Sequence, residues 1–188
     1  MKKIIFLLLV ICSRSVYAQE FAVDQNVFAA GIGFGGSFGS YNYGSQTPAI
    51  SLQYERGIWP IDGPGVISLG GYVGFKSYKY EQQYSNFYYK HKWSYTIIGL
   101  RSAYHYTGLE VENLDVYGGL MLSYNIVKYK YTTNDGFDLG LYKGNYGSTV
   151  GLTVYVGGRY YLTDNIAGFM ELGYGVSFVN LGLAFRFQ

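Results

Sequence analysis

Apolar and polar residues alternate along most of this chain with a period of two, and the segment TVGLTVYVGGRYYL at 149–162 shows the pattern in its cleanest form. Val150, Leu152, Val154, Val156 and Tyr160 share one parity, while Thr149, Gly151, Thr153, Tyr155, Gly157 and Arg159 share the other. Such a period places the two sets on opposite faces of a strand. One face is continuously apolar, and the other is small, polar or aromatic with a single Arg. A dry core beneath a wet surface would want fewer glycines and no buried cation, so the apolar face is expected to meet lipid.

The same alternation predicts seven further strands. The first runs from Val27 through VFAAGIGFGGSF, with Phe28, Ala30, Ile32 and Phe34 against Gly31, Gly33 and Gly35. Its glycines resemble a dinucleotide fingerprint, but nothing helical follows, and glycine on the inside of a narrow barrel accounts for them. The second covers about 47–57, opposing Ile50, Leu52 and Tyr54 to Ser51, Gln53 and Glu55. WPIDGPG then makes a turn. The third carries Ile67, Leu69, Val73 and Phe75 before YKYEQQYSNFYYKHK, which reads as a polar, aromatic loop.

The fourth strand starts near Trp93 and sets Ile98, Leu100, Tyr104 and Tyr106 against Tyr95, Gly99, Arg101 and His105. The fifth sets Val116, Leu120, Leu122 and Tyr124 against Asp115, Tyr117, Gly119 and Ser123. A long loop over about 132–147 precedes the sixth, 149–162. The seventh and eighth follow as Met170, Leu172 and Tyr174 against Glu171, and Leu181, Leu183, Phe185 and Phe187 against Arg186. Eight segments of about ten residues, joined by connections that mostly alternate between long and short, predict an all-β fold. The expected architecture is an eight-stranded antiparallel up-and-down transmembrane β-barrel.

The amino terminus sharpens this. Lys2 and Lys3, an apolar run from Ile4 to Ile11 and Val16-Tyr17-Ala18 form the three regions of a secretory signal peptide, with cleavage expected after Ala18. The division is then 1–18 signal peptide and 19–188 barrel domain. Cys12 follows Ile11, where a lipoprotein signal wants a small residue, and with 1–18 removed the rest of the chain has no cysteine for a disulfide. Removing Lys2, Lys3 and Arg14 takes 14 basic residues to 11 against 12 acidic ones, so the formal charge falls to −1. A nucleic-acid partner is not indicated.

These features, with the terminal strand LGLAFRF, resemble the OmpA/OmpX-like group of small eight-stranded outer-membrane barrels. The resemblance implies outer-membrane location, periplasmic termini and a final aromatic residue; here Phe187 is followed by Gln188, one position off that pattern.

Two residue sets are the candidates for function. The inward parity carries Glu55, Asp115 and Glu171 against Arg101, Arg159 and Arg186, which predicts a plugged, salt-bridged lumen rather than an open channel. Lys76, Lys79, Lys90, Lys92, Lys128, Lys130 and Lys143 all fall at the loop ends of strands, among many tyrosines. There they would meet lipopolysaccharide phosphates or an envelope or surface protein partner. Catalysis is not expected. A lipid A-modifying enzyme would need Ser, His and an acid at the rim, and only Ser85 and Glu81 near His91 offer themselves. No cofactor or metal motif is present. A soluble ligand-carrying barrel, apolar face inward, is the remaining rival.

Overall fold

In a computed structural model, residues 21–36, 44–84, 87–109, 111–133 and 147–188 are described. The signal peptide assigned to 1–18, Ser85, Lys143 and most of the loop around it lie outside them. Eight strands close a ring: β1 (Asn26–Phe34), β3 (Ala49–Pro60), β4 (Gly65–Tyr84), β5 (Phe87–Tyr106), β6 (Leu114–Thr133), β7 (Thr149–Tyr161), β8 (Ile166–Tyr174) and β9 (Val179–Phe187). Each is antiparallel to its chain neighbour, and β1 pairs with β9 to close the barrel. A two-residue strand, β2 (Ser45–Gln46), lies along the upper part of β4.

The eight strands are those expected from the alternation, but three are longer. β4 and β5 have 20 residues each and pair without interruption up to Tyr84 and Phe87, and β6 continues to Thr133. The stretch read as a loop, YKYEQQYSNFYYKHK, is therefore the top of a hairpin. Tyr78, Tyr80 and Tyr84 on β4 keep the two-residue period, and aromatic residues suit paired strands.

Following directly opposed residues round the ring gives the tilt. The path runs Val116, Gly158, Met170, Leu181, Ile32, Ile50, Phe75, Thr96 and Ile126. It returns to β6 ten residues higher, at 126 instead of 116. Ten residues of stagger over eight strands correspond to a tilt of about 40°.

Outside, the ring is apolar. Ile50, Leu52, Val73, Ile98, Leu100, Leu120, Leu122, Leu152, Val154, Val156, Met170 and Leu183 are all exposed. Tyr54, Tyr104, Tyr106 and Tyr160 edge the belt toward the short turns, and Phe34, Phe75, Tyr124 and Tyr174 edge it toward the long strands. A belt of this kind with aromatic edges is stable only against hydrocarbon.

Inside, glycines make room for rings. Gly31 and Gly182 face each other across β1 and β9, and the Phe169 ring lies over both. A Cβ on Gly182 would come 2.0 Å from the Ala30 carbonyl oxygen and 2.7 Å from the Phe169 ring. Gly182→Ala is expected to lower stability by about 1–3 kcal/mol. Gly168→Ala, on the lipid face with nothing within 4 Å of its Cβ, should change little; equal unfolding midpoints for the two would refute this account.

Candidate functional site: an ion-paired lumen and a lysine cluster

The inward parity brings charged side chains from five strands to the barrel axis. On the upper level Arg101 donates to Glu171 at 2.7 Å and to Gln53, and its guanidinium lies 4.4 Å from the Tyr155 ring centre. The Tyr117 hydroxyl donates to the same Glu171 at 2.9 Å. One level lower, Arg159 pairs with Glu55 and, at 3.2 Å, with Asp115. Glu55 joins the two levels, its second oxygen lying 3.9 Å from Arg101 Nε. All five charged groups are buried, so each ion pair must offset the loss of water around both partners.

Five of the six lumen residues singled out in the sequence thus meet in one network. Arg186 sits below it. Its Nε donates to the Asp164 carbonyl at 3.1 Å, and the guanidinium stacks 4.0 Å from the Tyr161 ring centre. Parity alone places it inward, but Asp164 is in the turn, so Arg186 ties that turn to the inner wall.

His105 is the member that sequence reasoning left out. Its ring nitrogens lie 2.8 Å from Asp115 and 3.1 Å from the Ser68 hydroxyl, and Phe21 stacks on it at 3.8 Å. His105 shares the parity of Arg101, which is the available signal; it stands one residue from the short-turn end of β5, away from the rim where a catalytic histidine would be sought. Beside Arg101, Glu171, Tyr155 and Asn180 a cavity of about 30 Å³ remains, space for one or two waters.

The lysines divide. Lys76, expected at the rim as a lipid or partner contact, points instead into the barrel, fully buried at 0% exposure. Its ammonium donates to the Gly35 carbonyl and, at 3.2 Å, to that of Val176. It has the even parity of Tyr72 and Gly74, so the alternation already turned it inward. Lys79, Lys90, Lys92, Lys128 and Lys130 have the outward parity, above the belt. Lys90 pairs with Glu81, whose carboxyl is held below its usual range chiefly by that hydrogen bond. Lys143 lies outside the described residues.

Behind the lysines, on the inward face of the same strands, Tyr78, Trp93 and Tyr129 occupy one row and Tyr80, His91 and Tyr131 the next. His91 Nδ1 is 2.7 Å from the Tyr129 hydroxyl, and its ring stacks on Trp93 with centroids 5.8 Å apart. Partial burial lowers the His91 pKa. With Glu81 engaged by Lys90 and His91 by Tyr129, the candidate acid and base of a rim triad are not in contact.

No family model and no curated protein matches the chain. Among solved structures it is similar to a de novo designed transmembrane β-barrel, at 12% identity over 90% of this chain and 100% of that one, with a TM-score of 0.46. The attachment invasion locus protein Ail of Yersinia pestis, in complex with the heparin analogue sucrose octasulfate, aligns at 12% identity over 87% of this chain and 97% of its own, TM-score 0.46. Neisserial surface protein A aligns at 18% identity over 86% and 93%, TM-score 0.41.

Proposed function

We propose that this protein is an integral outer-membrane barrel with a sealed lumen, whose role is structural or is an interaction made through its long-stranded end. The observation that carries this is the pairing of an apolar, aromatic-edged exterior with an ion-paired interior. An aqueous pore needs a hydrated passage, and a soluble ligand carrier needs its apolar face inside; this barrel has the reverse of the second, and charged pairs and rings where the first would run. Its signal peptide directs export and is removed after Ala18. Asn26 pairs with Phe187, so both ends share the short-turn rim, which supports placing them together in the periplasm. The tall β4–β5–β6 end faces outward, toward outer-leaflet lipopolysaccharide and any envelope or surface protein partner.

Extraction and electrical recording test the proposal together. The protein is expected to need detergent for release from membranes and, once reconstituted in planar bilayers, to give no large persistent current. Solubility without detergent after periplasmic release would refute the membrane assignment, and a steady wild-type conductance would refute the sealed lumen.

A further inference from the structure

The geometry points to a phosphate-binding site for a membrane glycolipid on the outward face of β4, β5 and β6, formed by Lys79, Lys92, Lys128 and Lys130; it rests on the reading that this end faces outward. The register brings these lysines together. Lys79 is directly opposite Lys92, and Lys92 is directly opposite Lys130. Lys128 is two residues from Lys130 on the same face, diagonal to Lys92. Directly opposed side chains on paired strands start about 5 Å apart and diagonal ones about 7–8 Å, within reach of one anionic group.

Four like charges so placed repel one another, which a sheet tolerates poorly unless an anion sits among them. Among the described residues there is little compensation. Glu81 is the acidic neighbour, it is bonded to Lys90, and it reaches Lys79 only through its longer-range field. The strands behind are held in place by the buried Tyr78 and Trp93 rings, so the ammonium groups are displayed from a fixed base.

Height selects the occupant. Lys79 is four residues above Phe75, Lys92 four above Thr96, and Lys128 two above Ile126, the last residues of the belt on their strands. At about 3.3 Å per residue and a 40° tilt, the ammonium bases stand about 5–10 Å above the hydrocarbon edge. That is the headgroup layer. A ligand that reaches this face with its acyl chains against the belt below and a phosphate at this level is a phosphorylated glycolipid of the outer leaflet. A soluble polyanion would have no use for the belt.

The test uses the full-length barrel in detergent, offered bisphosphorylated lipid A, its dephosphorylated form, or the phosphorylated disaccharide without acyl chains, with bound molecules counted by native mass spectrometry. Wild type is expected to retain bisphosphorylated lipid A in preference to the other two. The variant K79Q/K92Q/K128Q/K130Q should lose retention by a hundredfold or more, at roughly fivefold per lysine near a membrane surface, while the all-Arg variant keeps it. Equal retention by wild type and the Gln variant, or equal binding of dephosphorylated lipid A, would overturn the site. Binding of the free disaccharide as tight as that of lipid A would overturn the membrane lipid as its occupant. The heat-dependent gel shift of a folded barrel is read on every variant, so loss of the barrel itself is distinguished from loss of the site.

Discussion

Arg159→Met is expected to cost about 3–5 kcal/mol of stability, measured by urea unfolding in lipid vesicles and checked by gel mobility. Arg159 is 1% exposed and is the shared partner of Glu55 and Asp115. Met fills much of the same space but removes the cation between two buried carboxylates. Glu55 is then left with Arg101 at 3.9 Å and His105 at 3.8 Å, and Asp115 with His105 at 2.8 Å. The penalty comes from that uncompensated charge, so Glu55→Gln in the Met background should recover part of it. A double-mutant cycle is expected to show coupling of about 0.5–3 kcal/mol. Strictly additive effects, or a single-variant cost below about 1 kcal/mol, would mean that the network is hydrated and contributes little. Conductance should stay silent in both variants, because Tyr117, Tyr155 and Phe169 still fill the bore.

The sequence made the barrel legible because one face of every strand had to satisfy lipid and the other a narrow, paired interior. That requirement is written residue by residue, and its parity turns Glu55, Arg101, Asp115, Arg159 and Glu171 inward, where they are buried. It failed where the pattern has no hydrophobic contrast. Above Phe75 and Ile126 the outward positions are Ser77, Lys79, Ser94, Lys128 and Lys130, and the inward ones are Tyr78, Trp93 and Tyr129, so both faces look like loop. The cross-strand aromatic pairing that keeps them in strand is a tertiary fact. Lys76 departs from expectation for a related reason: its charge near a strand end suggests the rim, whereas its parity sends the ammonium to the backbone carbonyls of Gly35 and Val176. The lysine cluster itself needed the register, since Lys79, Lys92 and Lys130 belong to three separate stretches of sequence.

Leu100→Arg separates the membrane barrel from its soluble rival most directly. Leu100 is 60% exposed on the outer face of β5, midway between Thr96 at one edge of the belt and Tyr104 at the other. In water an Arg there would be harmless, since an exposed leucine contributes little to a soluble fold. In a bilayer the guanidinium sits near the middle of the hydrocarbon, where an Arg on a barrel's lipid face costs about 2–4 kcal/mol. The same change at Thr96, four residues up the strand and on the same face, should cost at most about 1 kcal/mol because the side chain reaches the headgroups. The expected result is therefore a depth-dependent loss of stability in lipid vesicles, large at Leu100 and small at Thr96. If both variants unfold at the wild-type urea concentration, the apolar belt does not face hydrocarbon, and the scaffold and the glycolipid site above it fall together.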